Sequence, residues 1–233
     1  YTSEIGALMA QKGKQSELPK NLNDRLGYFL RERARLVGAA QNKLLALENI
    51  LRGQPPSPLT LFYCGDGNVA EEDDEGAEEG KGVNLRRQVD AVIERLYEWG
   101  WKVSRFTARE KLRERVEILE NFKVGAIDAM VAIKCLDEGI DVPACRTAFI
   151  LASARNPRQS IQRRGRILRK SEGKEFSEIY DFMVVLPDTA EIGDAARNLV
   201  IAELERVSEF AGLSLNTTDS YRALEPILHR YDL

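Results

Sequence analysis

The chain has 233 residues, 43% of them hydrophobic and 30% charged, with a net charge of −3. That size buries one good core, or one core plus a helical appendage, and the composition is that of a soluble globular protein. No apolar run approaches the ~20 residues needed to span a bilayer, and the negative balance predicts no general affinity for nucleic acid, so any such affinity must be local.

The three cysteines, Cys64, Cys135 and Cys145, are odd in number and lack metal-ligand spacing. This favours reduced, structural thiols in a cytoplasmic protein. His229 is the sole histidine, which argues against histidine-based acid–base chemistry and against a histidine-ligated metal. The chain opens at Tyr1 without Met or a signal-peptide pattern and reads as a fragment.

From Tyr1 to about Gly53 the signals are helical. Leu26, Phe29, Leu30, Arg33, Leu36 and Val37 recur at spacings of three and four, as do Leu44, Leu47, Ile50 and Leu51. Pro55-Pro56-Ser57-Pro58 is a stiff connector. After it, Leu59 to Tyr63 reads as a buried strand that runs into the turn Cys64-Gly65-Asp66-Gly67. Residues 71–82, EEDDEGAEEGKG, carry seven carboxylates and no large apolar side chain, a composition that stays solvated.

Asn84 to Trp99 is amphipathic, with Val89, Val92, Ile93 and Leu96 on one face, and Gly100 ends it. Lys102 to Phe106 is a short strand leading into Thr107. Arg109 to Phe122 is a further helix, with Leu112, Val116, Leu119 and Phe122 expected inward. Strands follow at Ile127 to Ile133 and Thr147 to Ala152, then an arginine-rich helix, then a strand from Ile179 to Leu186. Alternation at these lengths implies α/β architecture, a parallel sheet with helices on both faces. Right-handed crossovers make a RecA-like domain the simplest topology. Ala190 to Phe210 reads as one long helix with Ala195, Leu199, Ala202, Val207 and Phe210 buried. The rest, with a loop at Asn216-Thr217-Thr218-Asp219, reads as a polar tail pairing with the N-terminal helices. The expected divisions are a helical linker over residues 1–54, the α/β domain over 55–188 and a helical extension over 189–233.

The segment after Asn156-Pro157 bears only positive charges: Arg158, Arg163, Arg164, Arg166, Arg169 and Lys170. Arginine presents a planar, permanently charged fork suited to phosphate oxygens. Arg166 and Arg169 stand at i and i+3 and share a helical face, whereas Arg163 and Arg164 read as ordinary surface charges.

GIDVP at 139–143 and QRRGRILR at 162–169 resemble motifs V and VI of superfamily 2 helicases and translocases, with Gln162 where the family often has His. The resemblance covers about residues 58–187 and implies the family's second motor domain. It implies Arg166 and Arg169 as arginine fingers, Gln162 coupling nucleotide state to the domain interface, and Gly139 and Asp141 beside the nucleotide. It implies a strand-tracking surface at Cys64, Gly65, Thr107, Lys134 and Ser153. One departure is Ile133, where the family often places a phosphate-contacting Thr, which leaves that contact to Lys134 or nearby amides.

No GxxxxGK[ST] phosphate loop occurs anywhere in the chain. ATP and Mg²⁺ are therefore expected to be held mainly by an N-terminal RecA-like domain of the same protein. The implied function is an ATP-dependent helicase or translocase on DNA, with RNA as the other substrate. The rival is a non-catalytic RecA-like interaction module. The phrase from LDEGIDVP to IQRRGRILRK also resembles helicases of bacterial restriction and phage-defence systems, which implies other defence subunits as partners.

Overall fold

The computed structural model describes residues 2–14, 19–40, 42–65, 67–70, 85–133, 145–152, 161, 164–186 and 193–233. The chain divides into two compact units, one formed by Tyr1–Ala34 with Met183–Leu233 and the other by Arg35–Phe182. Among the described residues, no helix is long and apolar enough to cross a membrane.

The Arg35–Phe182 unit is built on a five-stranded sheet. Its strands are β1 (Thr60–Cys64), β4 (Val103–Phe106), β5 (Ala129–Ile133), β6 (Thr147–Ile150) and β7 (Glu178–Asp181), in the order β4-β5-β1-β6-β7. Every pairing is parallel. A parallel sheet covered on both faces needs strands that are apolar at every position in its middle. TLFYC in β1 and AMVAI in β5 meet that requirement and are buried throughout, while β4 and β7 at the edges are only partly buried. β2 (Asn68–Ala70) and β3 (Leu85–Arg87) form a separate antiparallel pair, which flanks the acidic run.

Alternation along the strands sends side chains to two cores. Phe62, Val131, Phe149 and Leu151 meet Leu47 and Leu51 of α3 (Asn42–Leu51) and Val89, Val92 and Leu96 of α4 (Gln88–Glu98). Leu61, Tyr63, Met130 and Ile150 meet Phe122 of α5 (Leu112–Lys123) and Ile167 on the opposite face. Helices thus cover both faces, the expected RecA-like α/β arrangement. The register also aligns a ladder of rings: Phe62 stacks on Phe149 at 4.9 Å, and Phe149 stacks on Tyr180 at 4.6 Å. Such offset ring pairs contribute about 0.5–1.5 kcal/mol each beyond their burial.

α5 corrects one expectation. Leu112 and Val116 are 78% and 53% exposed rather than inward. The packed stripe is Ile118, Leu119 and Phe122, with Arg115 over the Phe106 ring at 5.9 Å. Positions 115, 118, 119 and 122 also satisfy a 3.6-residue period, so periodicity admits two neighbouring stripes here, and the sheet takes the one carrying Phe122.

In the other unit, α1 (Thr2–Lys14) and the first part of α2 (Lys20–Gly38) bury Ile5, Leu8 and Leu26 together. α6 (Asp194–Ala211) and α7 (Thr217–Tyr231) bury Val200, Leu204, Leu224 and Tyr231. The stripe of α6 runs through Val200, Leu204 and Ala211, while Ala202 is exposed and Leu199, Val207 and Phe210 are partly buried. The side chain of Ala195 lies outside the described residues. α7 replaces the expected loop and polar tail. Leu224, Ile227, Leu228 and Tyr231 make a helical stripe that offsets the cost of Pro226 within the helix, about 3 kcal/mol for an interior proline.

Candidate functional site

The arginine-rich segment is described at Ile161 and from Arg164 onward, and residues 164–167 are helical. Ile167 is completely buried against the sheet. Arg164 is buried too, which corrects its reading as a surface charge: it pairs with Asp181 at the end of β7, the two side chains being 6% and 10% exposed. A third anchor is Lys174, whose ammonium donates to Ile167 O and, at 3.0 Å, to Arg169 O. A cation placed on the last carbonyls of a helical turn satisfies their unpaired acceptors and complements the local dipole. Ser177 Oγ adds a longer contact to Ile167 O at 3.4 Å.

These anchors fix the inner side of the turn. Arg164 and Ile167, three residues apart, form the inner face. Arg166 is partly buried, and Arg169, two residues past the helical turn, is exposed. Burial lowers the pKa of Lys174, with the neighbouring Cys145 acting in the opposite direction. Burial also raises the Cys145 thiol to about 12, so at neutral pH this cysteine is an uncharged core residue.

The strand-edge residues fare unequally. The Cys64 side chain lies in the core, 1% exposed, so only its backbone is available to a ligand. The Gly65 N–H donates to Gln88 Oε1 at 2.8 Å. Thr107 is 6% exposed, and its Oγ1 and N–H both bond the Glu110 carboxylate, at 2.7 and 2.6 Å. Gly139, Asp141, Gln162, Lys134 and Ser153 lie outside the described residues, as does the acidic run. Among the described residues no cluster of three or more His, Cys, Asp or Glu side chains is placed to hold a metal. A cavity of about 580 Å³ lined by Arg146, Lys174 and Glu178 opens at the start of β6 and β7, whereas open α/β sheets bind ligands at the carboxyl edge.

Asp181 and Lys174 escape a sequence reading because each acts on the arginine turn from a later element. Lys43, Gln88 and Glu110 are also missed. The first two carry a signal in hindsight, since they fill inward positions of apolar stripes.

Residues 82–171 match the family model described as Helicase conserved C-terminal domain, a span from just before β3 to just past the arginine turn. UvrABC system protein B of Streptococcus suis (strain 98HAH33) is 36% identical over 93 residues, 38% of this chain and 14% of its own length. The DNA 3'-5' translocase XPB2 of Sulfurisphaera tokodaii is 44% identical over 59 residues, 25% of this chain and 13% of its own length. The chain thus spans no more than 14% of these relatives. Among solved structures, the C-terminal domain of the DEAD-box protein Dbp5 is similar with a TM-score of 0.47 and 14% identity, over 72% of this chain and 80% of that one. The similarity to helicase C-terminal domains thus falls on residues 82–171, the segment that holds β3 to β6 and the arginine turn.

Proposed function

We propose that this chain is the second motor domain of an ATP-dependent helicase or translocase acting on DNA. The observation that carries the reading is the arginine turn. Ile167, the Arg164–Asp181 pair and Lys174 anchor it, with Arg166 partly buried and Arg169 exposed beside them, inside the segment that matches the helicase model. The preference for DNA rests on the similarity to a protein named as a DNA translocase.

The chain has no phosphate loop, so Mg²⁺ and the triphosphate are assigned to another domain of the same protein. Arg166 and Arg169 would place positive charge against the terminal phosphate, where charge develops during transfer. Gln162, Gly139 and Asp141 are the proposed nucleotide-side residues, and Lys134, Ser153, Thr107 and the backbone at Cys64 and Gly65 the proposed strand contacts. The likeness of the motif phrase to restriction and phage-defence helicases makes subunits of such a system the proposed partners.

The test uses the longer parent polypeptide. Arg166→Ala and Arg169→Ala should each lower kcat by roughly 10³–10⁵ while leaving nucleotide binding nearly unchanged, because a finger acts mainly on the transition state. Steady-state ATPase and a nucleotide titration read the two quantities. Full turnover in both variants refutes the assignment and leaves the interaction-module reading in its place.

A further inference from the structure

The sheet has a topological switch point between β1 and β6. From β1 the chain crosses to β4 on one side, and from β6 it crosses to β7 on the other. Ligands of open α/β sheets enter the crevice beyond the carboxyl ends at such a point. In this chain the crevice holds the junction between α2 and α3. Gln88, fully buried, accepts the Gly65 N–H on its Oε1 at 2.8 Å and donates from Nε2 to Gly38 O at 2.9 Å. The Lys43 ammonium, on a side chain 4% exposed, donates to the same Gly38 O at 3.4 Å and to Leu151 O just past β6. Two buried polar side chains thus converge on the last carbonyl of α2 and tie it to the ends of both strands.

The fit is close. A Cβ on Gly67 would stand 2.6 Å from Ala39 Cβ and 2.8 Å from Arg35 O, so no phosphate fits between these two backbones.

We propose that the α2–α3 junction is the resident occupant of the switch crevice, seated by Lys43 and Gln88 as positioning residues, and that it excludes nucleic acid from the β1–β6 half of the carboxyl edge. The strand then runs along the β4–β5 half, where Thr107 lies. This rests on the helicase reading above, and of the strand contacts assigned there it keeps Thr107 and Lys134 and replaces those at Cys64, Gly65 and Ser153.

A disulfide lock tests it. An ideal Cβ on Gly38 lies 3.9 Å from Ala152 Cβ, within the Cβ separation that a disulfide bridges. In the full chain, Gly38→Cys with Ala152→Cys should bind a fluorescent DNA single strand equally well oxidised and reduced. Gln88→Leu orphans the Gly65 N–H and leaves the Gly38 carbonyl with only the longer Lys43 contact at 3.4 Å, and lifting the junction into water relieves the loss. That variant should speed amide exchange at Ala39 and Gly65 and expose the Lys43 ammonium to the strand. It should tighten single-strand binding about fivefold, with the salt slope steeper by about 0.7 for one added phosphate contact. The oxidised lock in the Gln88→Leu background should abolish the gain.

Weaker binding on oxidising the lock alone would put the strand inside the crevice and overturn the proposal. Faster exchange in Gln88→Leu with no gain in affinity would overturn it as well. A chain that binds no DNA at low salt with the lock open would instead sink the helicase reading, and the inference with it.

Discussion

Asp181→Asn removes the counter-charge of Arg164 while keeping the side chain's shape. The two side chains are 6% and 10% exposed, and a guanidinium cannot shed its proton to escape burial. Breaking such a pair from one side costs about 3–5 kcal/mol, because the remaining charge stays desolvated. The exposed pair Arg25–Glu4, with side chains 55% and 52% accessible, should by contrast lose less than about 1 kcal/mol on the same treatment. For a domain of about 150 residues, 1 kcal/mol moves Tm by about 2–4 °C, so Asp181→Asn should lower it by roughly 6–20 °C. Urea unfolding supplies the free energy, and the slope of the unfolding curve shows whether the transition stays cooperative. Replacing both partners by Leu and Met should recover most of the loss, since apolar packing does not incur the desolvation cost. A loss below about 1 kcal/mol in Asp181→Asn would refute the reasoning and leave Ile167 and Lys174 as the turn's real anchors.

Gly67→Ala should destabilise the Arg35–Phe182 unit by about 1–3 kcal/mol, the usual cost of overpacking, because the new methyl meets Ala39 Cβ at 2.6 Å and a backbone carbonyl at 2.8 Å; urea unfolding checks it. Cys145, raised by burial from 9.0 to about 12, should resist a thiol reagent at pH 8 in the native state and react once unfolded. Since the fold disfavours its thiolate, its contribution to stability is complete below pH 9 and falls as pH rises toward about 12; Cys145→Ala should flatten that part of the unfolding free energy against pH. Replacing residues 71–82 by a short Gly/Ser linker should leave Tm and the parent's ATPase nearly unchanged, because the run's composition offers no core; a large fall in either would make it a real contact.

The central strands were legible because their burial is two-sided. Five consecutive apolar or small residues in β1 and β5 admit little besides a covered parallel strand at that length. α3 and α4 were legible both as helices and in the face they bury, whereas α5 and α6 were legible only as helices. α5 offers Leu112, Val116 and Leu119 on one stripe and Ile118, Leu119 and Phe122 on the next, and only the sheet beneath selects between them. The same ambiguity displaced the stripe of α6. α7 was hidden by Pro226 and by the turn-like Asn216-Thr217-Thr218-Asp219, local signals that tertiary burial of Tyr231 and Leu224 overrides.

At the arginine turn, the run of positive charges was legible, but the helix stops at Ile167, short of Arg169, and the spacing did not say which arginine would be buried. That choice depends on Asp181, on a strand 17 residues further along. The carboxyl edge shows the converse case. Lys43 precedes Leu47 and Leu51 at helical spacing, and Gln88 precedes Val92 and Leu96 in the same way, so each polar residue holds a position its own stripe reserves for an apolar one. A local pattern broken at a buried position requires a partner for the polar group. Here both side chains share one partner, the Gly38 carbonyl. A mismatch in α3 and a mismatch in α4 therefore have a single physical cause, the docking of α2's last carbonyl at the end of the sheet's central strand.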